Sequence, residues 1–171
     1  LQQEFPDSAW IEEANLLQIE LTTDENKRLK LIEESISNGD DEKKSRAIEN
    51  LLKIDEDKAY ESINEILRPD SGESLGLKDS ILLILAQEGS KRATDKIVEI
   101  AQIEKNEELL KRAVINLDEV DETVSFPVLQ NILNETTNTE IIEAALYSIT
   151  EHQNLSAMKL LSEFARFGKK K

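Results

Sequence analysis

The chain has 171 residues, a formal net charge of −15 and no cysteine, with 39% apolar and 33% charged residues. Such acidity makes nucleic acid a poor partner, because phosphate binding needs a basic surface, and it disfavours an anionic membrane. Disulfides and thiolate metal sites are excluded, no apolar run of about 18 residues exists to span a bilayer, and acidity of this size keeps a chain soluble and monomeric.

The chain opens Leu1-Gln2-Gln3, with neither an initiator methionine nor a signal-peptide pattern, so it reads as a fragment of a longer protein, periplasmic or cytoplasmic. Phe5-Pro6-Asp7-Ser8 opens a first helix, whose Trp10, Ala14, Leu17 and Leu21 are expected to line one face. Trp10 is expected as a core plug rather than a ligand-stacking residue. A second helix is predicted over 24–38, with Leu29, Ile32 and Ile36 inward and Asn38-Gly39 as its stop. Asp40 and Asp41 cap a helix over 42–54, Asp55-Glu56-Asp57 make a turn, and a helix follows over 56–68. Pro69-Asp70-Ser71-Gly72 is the clearest break in the chain.

Six more helices are predicted over 74–88, 90–103, 106–119, 122–134, 138–151 and 154–167, with Gly89-Ser90, Asp121 and Asn154 as turn and cap residues. Pro127 falls in the fourth of these, and a late start near Ser125 is favoured over a kink. Residues 169–171 are a basic tail.

The stretch from Asn106 to Glu135 carries two apolar stripes, Leu109, Leu110, Ala113, Val114, Leu117 and then Leu129, Ile132, Leu133, at the three- and four-residue spacing of a helix face. Neither helix can bury its stripe alone. Stepping by about one repeat gives aligned columns. Ala47, Ile81, Ala113 and Ala145 form one, followed by Ile48, Leu82, Val114, Leu146 and by Leu51, Leu85, Leu117, Ile149. In the second helices the columns are Ala59, Ala93, Ser125, Ala157; Ile63, Ile97, Leu129, Leu161; Ile66, Ile100, Ile132, Phe164; and Leu67, Ala101, Leu133, Ala165. The insertion at 69–72 accounts for the longer first step. Lys43 departs from the column of Leu77, Leu109 and Ile141, so the copy beginning near Asp41 is expected to pack its first helix differently.

At these residues a resemblance can be named. The phrases KRAVINLDEVDETVSFPVLQNIL, SRAIENLLKIDEDKAYESINEIL and LKDSILLILAQEGSKRATDKIVEIA resemble short bacterial HEAT repeats, over roughly residues 41–168. The resemblance implies an all-α, right-handed α-solenoid of about five stacked antiparallel helix pairs. Its domains would be an N-terminal helix pair over 1–40, four HEAT-like repeats over 41–168, and the tail. FPDSAWIEEANLLQIEL looks like the last helix of a TPR-type array, which implies TPR repeats upstream in the parent protein.

Chemistry finds little support. His152 stands alone, without the second histidine or cysteine that a zinc site would need, and is expected on the surface. Asp55-Glu56-Asp57 lacks the glycine and glutamate spacing of a calcium loop, and neither a phosphate-binding glycine loop nor a Gly-x-Ser-x-Gly elbow occurs. No catalytic residue, metal or cofactor is expected.

In HEAT-like arrays the second helices usually line the concave side. The resemblance therefore points to Glu61, Asp95, Pro127, Lys159 and Glu65, Glu99, Asn131, Glu163 as the outward columns. Their acidic half, Glu61, Glu65, Asp95 and Glu99, is the candidate binding face for a protein or basic peptide; solvated helix faces are the plain alternative. The leading expectation is a non-catalytic protein-interaction scaffold. The alternatives are an enzyme or enzyme-accessory subunit of the bilin-lyase kind on the same scaffold, and a structural spacer.

Overall fold

The structure is a computed structural model and describes residues 17–19, 21–22 and 25–167, without the side chains of residues 25 and 167. The expectations for residues 1–6, for Trp10 and Ala14, and for the tail at 169–171 lie outside the described residues. Among the described residues every regular element is helical and no strand occurs. After helical residues at 17–19 and 21 come α1 (Glu25–Asn38), α2 (Asp41–Ile54), α3 (Glu56–Leu67), α4 (Leu75–Glu88), α5 (Lys91–Ile103) and α6 (Glu107–Ile115). A 3-10 turn (Asn116–Glu119) extends α6, and α7 (Glu122–Glu135), α8 (Thr139–Glu151) and α9 (Leu155–Phe167) follow. The chain divides into two compact units, the first ending at Leu77 and the second beginning at Lys78.

In the first unit α1 packs on α2 and α2 on α3. Ile19, Ile32, Ala47, Leu51 and Ala59 form the buried cluster, with Leu29, Leu31, Ile36, Leu52 and Ile54 around it. Leu17 and Leu21, expected on the inward face, are exposed, and Ile19 enters the core instead. Leu17 and Leu21 fall on one side at helical spacing and Ile19 on another, so periodicity alone does not choose between them.

Local chemistry sets the ends of these helices. Asp40 accepts the Lys43 amide at 2.9 Å as the N-cap of α2. Asp55 closes α2 with its backbone N–H and opens α3 with its side chain, which accepts from Lys58 N at 3.2 Å. Gly39 is required at the α1–α2 turn, because a Cβ there would sit on the Ser35 carbonyl oxygen and 2.7 Å from Lys43 Cβ. Lys43 is half-buried, with its ammonium 3.6 Å from Asp40, where the other copies bury Leu77, Leu109 and Ile141. Its stem can cover apolar surface while its head stays wet.

In the second unit α6 packs against α5 and α8, α7 against α5 and α8, and α9 against α8. Ser90, Asn106, Asp121 and Asn138 cap α5, α6, α7 and α8 through their side chains. Before α9, Asn154 accepts the Ala157 amide at 2.8 Å. The α-helix of 106–119 stops at Ile115 and tightens into a 3-10 turn. There the Asn116 side-chain amide donates to the Arg112 carbonyl at 2.9 Å, competing with the regular ladder.

The late start expected for α7 does not occur: the helix begins at Glu122 and carries Pro127 inside it. Asp121 accepts the Thr123 amide at 2.9 Å and so fixes the early start. Pro127 cannot donate to the Thr123 carbonyl. Both residues lie on the exposed side of the helix, where water can serve that carbonyl instead.

All seven columns are buried in the copies formed by α2–α3, α4–α5 and α6–α7. At about 1.5–3 kcal/mol per large buried aliphatic side chain, they are the main source of cohesion. The fourth copy departs from the pattern. Ala145, Ile149 and Ala157 stay buried, Leu146, Leu161 and Phe164 are half-buried, and Ala165 is exposed.

Candidate functional site

In α3, Ala59, Tyr60, Ile63, Ile66 and Leu67 take the buried face. The i, i+3, i+4 spacing then gathers Glu61, Asn64, Glu65 and Arg68 on the opposite side. These residues border a cleft of about 710 Å³ within the first unit, together with Ile36 of α1, Ser62 and Ile66 of α3, and Ser71 and Glu73 of the following loop. Three carboxylates thus face one guanidinium, over the aliphatic surface of Ile36 and Ile66.

The loop at 68–74 is a built wall. Ser71 N donates to the Arg68 carbonyl at 3.2 Å, Ser71 Oγ to the Ile66 carbonyl at 2.9 Å, and Glu73 N to Ser71 Oγ at 3.3 Å. Gly72 supplies the positive φ of 74° that the turn needs. Lys44 Nζ reaches both Glu73 carboxylate oxygens, at 2.6 and 2.8 Å, and ties the loop to α2. Ser74 adds a hydrogen bond to Asp41. Arg68 lies 3.2 Å from Glu65 and 2.8 Å from Asp70, so the one cation of the cleft is already shared between two carboxylates.

Of the four residues singled out in the sequence, Glu61 and Glu65 line this cleft, while Asp95 and Glu99 lie on α5 in the second unit. All four are exposed. Asp95 pairs with Lys91 at 2.6 Å and Glu99 with Lys96 at 3.0 Å on their own helix. A partner would therefore have to displace a lysine there, although exposed pairs of this kind hold weakly. Sequence reasoning missed Ile36, Arg68, Ser71 and Glu73. The insertion at 69–72 was the available signal, since it places a polar loop beside α3.

A second polar group lies in the other unit. His152, expected on the surface, is half-buried as the C-cap of α8. Its ring meets Phe126 edge-on, with centroids 4.8 Å apart, and its Nε2 is 3.3 Å from Ser125 Oγ. Burial raises the Asp118 carboxyl above the ordinary aspartate value, Glu119 and Glu151 push it the same way, and His152 opposes them. Asp121 is lowered, chiefly by the hydrogen bond from the Thr123 hydroxyl. A serine, a histidine and an aspartate thus come near one another, but Ser125 is fully buried and offers no attacking oxygen to a substrate.

Among the described residues no group of three or more His, Cys, Asp or Glu gathers closely enough to hold a metal ion, and no helix is long and apolar enough to cross a membrane. Compared with known proteins, the chain matches no family model and no curated sequence.

Proposed function

We propose that the chain is a non-catalytic protein-interaction scaffold, a HEAT-like α-solenoid segment of a larger bacterial protein, monomeric by itself, that takes a Lys/Arg-bearing peptide in the α3 cleft. The solenoid reading is supported by the columns, buried in register through three copies, and by the packing of alternate helices, α5 with α7 and α6 with α8. The binding reading rests on one observation: Glu61 and Glu65 line a single cleft with an aliphatic floor, beside Glu73, which Lys44 already holds. Carboxylates above apolar surface suit a lysine or arginine, whose stem is greasy and whose head is charged.

The test is titration of a fluorescent peptide with alternating arginine and leucine residues. Glu61→Lys/Glu65→Lys should weaken binding by at least about tenfold at physiological salt, where the screening length is about 8 Å. Glu107→Lys/Glu135→Lys makes the same change in net charge on the exposed surface of the second unit, and should cost less than about threefold. Equal losses from both double variants would reduce the cleft to bulk acidity and refute the assignment.

A further inference from the structure

α3 ends at Arg68, where the chain leaves the helix with φ −58° and ψ 139°. The Arg68 side chain lines the α3 cleft. Its Nη1 donates to Glu65, 3.4 Å from Oε1 and 3.2 Å from Oε2, so one guanidinium nitrogen faces both oxygens. Its Nε lies 2.8 Å from Asp70 Oδ1. The two carboxylates differ in place. Glu65 lines the cleft, whereas Asp70 stands in the loop after α3 and is not part of the lining. Glu73 is held by Lys44. A basic peptide entering the cleft therefore meets Glu65 with a guanidinium already on it.

That seat is the one an arginine of the peptide would take. A guanidinium carries several N–H donors on separate edges, and Arg68 turns one edge to Glu65 and another to Asp70. It can release the first contact and keep the second. The side chains of Arg68, Glu65 and Asp70 are 52%, 70% and 79% exposed, and solvated pairs of this kind exchange at little cost. An arginine that served only the negative end of α3 would leave peptide binding indifferent to Asp70.

We propose that Arg68 is a built-in competitor for the cleft: it holds Glu65 in the free chain, and an arginine of the bound peptide takes Glu65 while Arg68 withdraws onto Asp70. This inference rests on the peptide-binding reading of the α3 cleft and adds its regulation, since Asp70 sets how readily Glu65 is given up.

The probe is the fluorescent arginine–leucine peptide. Arg68→Met keeps the stem and removes the guanidinium, and should tighten binding about three- to fivefold. Lys53→Met removes the same charge from the exposed surface of α2, before α3 begins. The 12 residues of α3 span about 18 Å, beyond the screening length of about 8 Å, so Lys53→Met should change affinity by less than about 1.5-fold. Asp70→Asn should weaken binding about two- to threefold in the native chain, and should have no effect in Arg68→Met. The Arg68 Nε–H resonance, assigned by its loss in Arg68→Met, should shift when the native chain is saturated with peptide. An Arg68→Met variant that binds no more tightly than Lys53→Met overturns the proposal. So does an equal effect of Asp70→Asn in both backgrounds, or an Arg68 resonance that stays in place.

The two readings fail differently. If Glu61→Lys/Glu65→Lys costs no more than Glu107→Lys/Glu135→Lys, the cleft itself is refuted, and the competitor with it. If the cleft variants weaken binding as expected and Arg68→Met does not tighten it, only the competitor falls. Binding by Arg68→Met where the native chain binds nothing would support the proposal in its strongest form, and no binding by either overturns both readings.

Discussion

Ala113→Leu probes the packing between successive hairpins. α6 packs against both α5 and α8, and Ala113 has no exposed surface. Leu109, Val114 and Leu117 on its own helix and Ile141, Ala145 and Ile149 on α8 are also buried. Leucine adds three carbons. If there were room, burying them would gain up to about 2.4 kcal/mol at roughly 0.8 kcal/mol per carbon. A closely packed junction gives no room, and the strain of forcing them in outweighs that gain, leaving a net loss of about 1–3 kcal/mol. For a chain of this size the loss corresponds to a fall in Tm of about 2–12 °C. The same column holds a fully buried Ile81 in α4, so it is not small by rule. Ile81→Ala, the opposite change, should cost about 2–5 kcal/mol through the cavity it leaves. Urea unfolding followed by far-UV circular dichroism measures both. An unchanged midpoint for Ala113→Leu, with unchanged slope, would refute the close packing of this column.

Two further tests address the turns. Gly39→Ala should lower stability by about 1–3 kcal/mol, because the added Cβ meets the Ser35 carbonyl, which belongs to the backbone and cannot swing aside; wild-type stability would show that the α1–α2 turn is looser than described. Asp118 has a folded pKa above its unfolded one, so the folded chain binds that proton more readily. Its cost is therefore full above the folded pKa and disappears as pH falls below the unfolded value. Asp118→Asn should raise Tm at pH 7, with the difference closing below the ordinary aspartate range; a lowered Tm at neutral pH would mean that the hydrogen bond from the Glu119 backbone N–H outweighs burial.

The buried helix faces were legible because apolar residues recur at helical spacing in one helix after another, so a column such as Ile63, Ile97 and Leu129 could be read as buried from the sequence. Caps at Asp40, Ser90 and Asn154 were legible for a similar local reason, a side-chain oxygen placed just before an apolar stripe. α4 was less so. Its run LGLKDSILLILAQE is apolar on nearly every side, and only alignment with Ile48 and Val114 separates buried Leu82 from exposed Leu83. Glu61 and Glu65 could be named from the outward columns, but the cleft could not. Ile36 and Glu73 come from α1 and the loop after α3, and only the folded chain brings them to the α3 side chains. His152 escaped because its partners Ser125 and Phe126 belong to the preceding hairpin, 27 residues back in the case of Ser125.

The nearest-neighbour packing of the second unit also sets its kinetics. The principal contacts join helices no more than two apart along the chain, so every loop closed during folding is short. Such a unit should form quickly from any hairpin and open again piecemeal rather than all at once. Amide exchange would then be graded along it: slowest in α6, held from both sides, and fastest in α9, which packs mainly on α8 and can detach without disturbing the rest.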